Sequence, residues 1–417
     1  KLRRLGEKKH LKLVLAASLV LSVVGLGYYY YKYDPARETA PPARALSLAL
    51  EPLDLAWERI IGGPKYDFAH SIAPSGDGGF VVAGQIELES ANRYEAWVFR
   101  LDAGGGVLWQ KTFGGPAYDI ANSVTATADG GFVVAGHTYS KGAGAGDLWV
   151  FKLDGGGKLL WEKTFGGAGT EDASQIIALS DGGFAVAGYT NSQPEGSGNS
   201  WVLRLDSKGG LLWEKYFEGA SADPVRSIVA TGDGGFALAG YTRSKGAGGY
   251  DFRVLRLDRL GGLLWDKTFG GTEHDYAFAI AAAADGGFAV AGQTASKGAG
   301  LNDVWVLKLD ASGELLWEKT FGRADVEEAK SIVAMADGGF LVAAQALREE
   351  RSGFDLWLLR LDSAGELIWE ENYGGPGPEL IYQIIALADG SFALAAATVE
   401  GGAGKYDAWI VKLQPPE

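Results

Sequence analysis

The sequence predicts an all-β fold made of seven equal units, and three observations carry that expectation. The tripeptide Asp-Gly-Gly begins at Asp77, Asp129, Asp181, Asp233, Asp285 and Asp337, and returns as Asp-Gly-Ser at Asp389, always 52 residues apart. Two tryptophan series keep the same step. One is Trp57, Trp109, Trp161, Trp213, Trp265, Trp317 and Trp369; the other is Trp97, Trp149, Trp201, Trp305, Trp357 and Trp409, with Arg253 in its gap. Within each unit, short apolar runs alternate with Gly, Asp and Ser turns, and no helical periodicity interrupts them.

One unit justifies the elements in order. Ala173–Leu179 is a short apolar strand, A, followed by a tight turn at Ser180–Gly183. Phe184–Thr190 is strand B; the Gly- and Ser-rich stretch Asn191–Asn199 is a loop; Trp201–Asp206 is strand C. A turn at Ser207–Gly210 leads to strand D, Leu211–Phe217. Four antiparallel strands repeated at this period describe propeller blades, whereas a β-solenoid would need shorter units and end caps. The expected fold is therefore a seven-bladed β-propeller over residues 53–413. Its phase predicts how the ring closes. Leu53–Ile61, with Trp57, is a D strand with no A, B or C before it, and Trp409–Leu413 is a C strand with no D after it. The N-terminal strand should complete blade seven beside Ala408–Leu413, which removes an open edge.

Strand D carries Asp-x-x-Gly-x-x-x-Trp in six units, as at Asp310, Gly313 and Trp317. The glycine permits the turn and the indole offers a flat surface to the next blade. This is similar to the tryptophan-docking motif of quinoprotein propellers, with one residue fewer between Asp and Gly. The unit as a whole, DGGFAVAGYT…WVLRLDSKGGLLWEKYF, resembles the seven-bladed repeats of bacterial and archaeal surface proteins, the SBBP-type group. The resemblance spans Leu53–Leu413 and implies a fold and a scaffold-like role rather than an activity.

The N-terminal segment has a different character. Lys1, Arg3, Arg4, Lys8, Lys9 and Lys12 precede an uncharged stretch, Leu13–Tyr31. Nineteen helical residues span roughly 28 Å, enough to cross a bilayer core. Tyr28 to Tyr31 and Tyr33 would sit at the far interface, with the basic flank in the cytoplasm. The expectation is a cytoplasmic basic end (1–12), an uncleaved transmembrane signal anchor (13–31), a Pro-containing linker (34–52) and an extracytoplasmic propeller. A cleaved signal peptide fits less well, because the apolar run is long and no Ala-x-Ala site directly follows it.

Composition narrows the function classes. The chain has no cysteine, and its four histidines (His10, His70, His137, His274) form no metal-spaced pair. Residues 1–33 carry a net +6, which leaves −20 for residues 34–417 within the total of −14. An acidic domain of this kind is not expected to grip nucleic acid through its phosphates. Sparse Asn and Gln and a single methionine, Met335, point to a thermophilic source. No nucleophile elbow, phosphate-binding loop or metal motif occurs, and all units have one length, so no enzyme activity, cofactor or metal is expected.

Three groups of residues are candidates for binding. Ten residues before each Asp-Gly turn stands an acid: Asp67, Asp119, Glu171, Asp223, Asp275, Glu327 and Glu379. On the D–A connections these would ring the top face, either as a site for a cation or basic partner or as caps on backbone N–H groups. A second set before strand C, Glu95, Asp147, Asn199, Asp251, Asp303, Asp355 and Asp407, reads as turn residues. At the start of strand A, seven blades show seven residue types: His70, Asn122, Ser174, Arg226, Phe278, Lys330 and Tyr382. Asymmetry there fits a binding surface near the axis, or drift at an exposed position. The B–C loops of blades two, four and five share Ser-Lys-Gly-Ala-Gly, whereas blades six, seven and one diverge. Glu87, Glu89, Arg93, Tyr94, Arg348, Glu349, Glu350 and Arg351 mark that sector, through partner docking or through decay of terminal repeats.

The expected role is a protein-interaction scaffold or accessory subunit of a membrane or envelope assembly. A ligand- or glycan-binding propeller is the first alternative, and a hydrolase or lyase the second.

Overall fold

The computed structural model describes residues 51–88, 93–192, 198–217, 219, 223–347 and 353–416. The expected basic end, membrane helix and nearly all of the linker lie outside these residues, as do Glu89, Arg348, Glu349, Glu350 and Arg351. Among the described residues, no helix is long and apolar enough to cross a membrane.

The described chain forms seven four-stranded antiparallel sheets, each with its strands paired in sequence order except the last. Blade three shows the pattern: A is Glu171–Ala178, B is Phe184–Thr190, C is Asn199–Leu205 and D is Leu211–Phe217. In blade seven, the N-terminal strand Asp54–Ile61 takes the D position against strand C, Asp407–Gln414, in a register running from Ile61–Ala408 to Asp54–Gln414. The ring is thus closed by joining the two ends of the described chain.

The core explains why closure matters. Each apolar cluster joins facing sides of two neighbouring blades rather than filling one blade. Val81, Ala83 and Val98 of blade one, for example, pack with Phe132, Val134 and Trp149 of blade two. A blade without a neighbour would leave such a face in water.

The lower face repeats strictly. In the Asp-Gly-Gly turns the first glycine has positive φ, +83° at Gly78, while a Cβ on the second, Gly79, would collide with the Leu101 carbonyl. The turn aspartate pairs with a basic residue of strand C in every blade, as with Arg100 and Asp77 at 2.5 Å or Lys308 and Asp285 at 2.7 Å. The strand-D tryptophan locks one blade to the next. Trp109 Nε1 donates to Gly155 O at 3.0 Å, and its ring covers Gly157, a turn glycine of blade two.

Where blade four has Arg253 in place of the strand-C tryptophan, the guanidinium donates to Asp266 at 3.2 and 3.0 Å. Its neighbours place an indole there, and Trp201 Nε1 donates to Glu214 at 3.1 Å.

Candidate functional site: the mouth of the axial channel

The D–A and B–C connections share one face and are stitched together across blades. Asp67 N donates to Tyr406 O, Glu171 N to Gly146 O, Asp275 N to Tyr250 O and Glu327 N to Asn302 O, at 2.6–2.8 Å. These bonds draw the acids into the ladder. In blade three, strand A starts at Glu171 and strand C at Asn199, each two residues earlier than the sequence suggests.

The seven acids consequently sit beneath the top face, none more than 2 % exposed. Most of their described contacts are with loop backbone N–H groups and with hydroxyls at the end of strand B and just beyond it. Asp119 accepts from Gly115 N at 2.8 Å and from the hydroxyls of Thr138 and Ser140; Glu171 accepts from Gly167 N, Thr190 and Ser192. The series before strand C does likewise, with Asp303 accepting from Ala299 N and Gly300 N at 3.1 Å. The two series converge between blades. A Cβ on Gly270 would meet both Asp251 and Asp275, and one on Gly62 would meet Asp407 and Asp67. Burial first, and the second carboxylate after it, raises the pKa values of Asp67, Asp251 and Glu327 above the ordinary range. Glu379 is pushed up to about 7 by burial, with Asp355 and Glu400 adding.

The variable series has a different fate. In all seven blades strand A slips one residue against strand B, between Ala69 and Ser71 in blade one and at the equivalent place in the others. The residues skipped by the ladder are His70, Asn122, Ser174, Arg226, Phe278, Lys330 and Tyr382. A β-bulge leaves its extra residue unpaired and re-aims the side chain. All seven side chains line one open basin on the axis.

The residues that follow them tie the ring together. Val124 N donates to Ser71 Oγ, Ile176 N to Ser123 Oγ, Ile228 N to Gln175 Oε1 and Ile72 N to Gln383 Oε1, at 2.7–3.1 Å. One backbone N–H on the inner edge of each of these strands is thereby taken by the neighbouring blade.

A second variable tier, unnoticed in the sequence, stands two residues earlier on the same strands: Phe68, Ile120, Asp172, Pro224, Tyr276, Glu328 and Leu380. It too shows seven residue types. The signal was present, because these residues keep the 52-residue step directly after the acid. The tiers touch: Asn122 Nδ2 donates to Asp172 Oδ1 at 2.7 Å, Lys330 pairs with Glu328 at 2.5 Å, and Phe278 stacks with Tyr276 at 6.3 Å. His70 lies 4.9 Å from the Tyr382 ring, and burial lowers its pKa to about 4, so it is neutral at pH 7.

Of the divergent sector, Glu87 pairs with Lys65 at 3.0 Å, Arg93 with Glu95 at 2.8 Å, and Tyr94 lies 6.1 Å from Tyr118. Its other five members are outside the described residues. Among the described residues, no group of three or more His, Cys, Asp or Glu side chains could hold a metal ion.

No family model matches the chain. A stretch of 165 residues is 26 % identical to the regulatory protein FlaEY of Caulobacter vibrioides, covering 34 % of this chain and only 17 % of that protein's length. Among solved structures, BBS1N in complex with ARL6DN, soaked with lead, is similar with a TM-score of 0.50 at 11 % identity, over 88 % of this chain and 97 % of that one. Sqt1 from Chaetomium thermophilum gives 0.48 at 15 % identity, over 84 % and 83 %. These likenesses concern fold alone. The chain is a seven-bladed β-propeller of four-stranded antiparallel blades, a fold that commonly serves as a protein-interaction scaffold.

Proposed function

We propose that the chain is an interaction module of a membrane or envelope assembly, anchored through residues 13–31, with the propeller outside the cytoplasm and the axial mouth as its binding surface. One observation carries the reading: the lower face repeats the same Asp–cation pair in each blade, while both tiers of the mouth differ in all seven. A frame built for stability alone has no need of fourteen individual choices at one end of its axis. The SBBP-type resemblance and the basic flank before an apolar run of bilayer length support the surface location.

The test is affinity capture with the full chain in mild detergent. The double variant Arg226→Ala/Tyr276→Ala should lose the partner, while Lys208→Ala on a lower-face turn should keep it. A partner retained by the mouth variant and lost by the lower-face variant would sink the reading. Extraction of the full chain from membranes by alkali alone would defeat the anchor.

A further inference from the structure

We propose that the mouth recognises a neutral oligosaccharide, an inference that rests on the mouth being the binding surface. Two aromatic clusters stand on roughly opposite sides of the ring. On blades seven and one, Phe68 meets Tyr382 edge-on at 6.3 Å and stacks near Tyr406 at 5.7 Å. On blades four and five, Tyr276 lies 5.2 Å from Tyr250 and 4.9 Å from Tyr241. Blades two and three separate the clusters on one side of the ring and blade six on the other. Aromatic faces receive the C–H face of a pyranose, which is apolar although the sugar as a whole is not.

Planar polar groups occupy the arcs between the clusters. On blades two and three, Asn122 and His137 both meet Asp172, at 2.7 and 3.1 Å. On blade six, Gln345 Nε2 donates to Glu328 at 3.0 Å, beside Lys330. Carboxylates and amides in such pairs hold their oxygens and N–H groups at the spacing of vicinal hydroxyls, and neighbours fix their orientation before the ligand arrives.

Charge and backbone argue against other ligands. The two tiers hold two cations, Arg226 and Lys330, and two anions, Asp172 and Glu328, and His70 is neutral at pH 7, so these tiers carry no net charge to select a polyanion or a polycation. One backbone N–H on the inner edge of strand A in blades two, three and four is already bonded to a neighbouring blade, which interrupts the ladder an inserted peptide strand would use.

The experiment uses the full chain in detergent and calorimetric titration with cellohexaose, chitohexaose, mannohexaose and a β-1,4-galactan oligomer. Polygalacturonate and a mixed-charge peptide serve as competitors. At least one neutral oligomer should bind, with an affinity unchanged by added salt. Tyr276→Ala and Asp172→Asn should each weaken it by roughly tenfold or more, with melting temperatures of both variants confirming that they fold. Binding of the anionic polymer or the peptide alone, or no binding by any neutral oligomer, would overturn the proposal. Mouth-dependent capture of a protein without sugar binding would overturn it while leaving the interaction-module reading intact.

Discussion

Arg256 holds Asp233 with one nitrogen, Nη2 donating to both carboxylate oxygens at 2.7 and 2.6 Å. The arginine is buried on strand C and the aspartate half in water at the A–B turn, so the pair pins each hairpin to the blade beneath it. The same offset of 23 residues joins Asp129 to Lys152 and Asp285 to Lys308.

Asp233→Ala should destabilise the propeller by about 1–2 kcal/mol, a figure reduced for the aspartate's exposure. Arg256→Met should cost less, because it leaves no buried charge without a partner. Urea unfolding of both variants distinguishes them, and an equal or greater loss for Arg256→Met would contradict the assignment. The pairing also has a pH signature. Lys152 and the Thr127 hydroxyl hold Asp129 at about 2, below its ordinary value of 3.8. Its contribution should be complete above pH 4 and lost as pH falls through about 2.

Glu379 has the opposite sign. Its folded pKa of about 7 exceeds the ordinary 4.5, so the folded state binds the extra proton between those values. Stability should fall as pH rises from about 4.5 to 7 and level off above, by roughly 1–3 kcal/mol. Glu379→Gln should flatten that part of the profile. Melting temperatures across the pH range decide it, and a slope unchanged by the substitution would rule this group out.

Two turn glycines separate backbone strain from packing. Gly286 has a φ of +82° with open space at its Cβ, whereas Gly157 has a φ of +74° with the Trp109 ring 3.0 Å from that position. Gly286→Ala should cost about 1–2 kcal/mol from the left-handed backbone alone. Gly157→Ala should cost at least about 1 kcal/mol more, since it pushes the docked indole off its turn. Equal losses would mean that the indole yields freely.

Blade four tests whether its arginine is interchangeable with the tryptophan found in the other blades. Arg253→Ala should cost about 3 kcal/mol, as it opens a cavity in the core and leaves Asp266 with Lys245 alone. Arg253→Trp combined with Asp266→Glu rebuilds the neighbouring arrangement of Trp201 and Glu214 and should be close to neutral. A double variant as damaged as the alanine would show that the blade needs the charge itself.

Much of the fold was legible in the chain because a repeat states each structural choice seven times. The 52-residue step defined the blades, and its phase, with Trp57 ahead of any A strand and Trp409 without a D strand, determined that the ends meet in blade seven. Side-chain direction was not legible to the same degree. The acids of the Asp67 series read as a surface ring because their loops are on the surface; cross-blade bonds such as Asp67 N to Tyr406 O draw them under it. A linear pattern cannot show a bond between units. The bulge that turns His70, Arg226 and Tyr382 toward one axis was equally hidden, since alternation along a strand says nothing about a one-residue slip against its partner. The sequence by itself determined the repeat, the ring and its closure, because those follow from period and phase. Only the tertiary structure decided which of the repeated positions converge, because convergence depends on the radial geometry that brings seven distant strands to one axis.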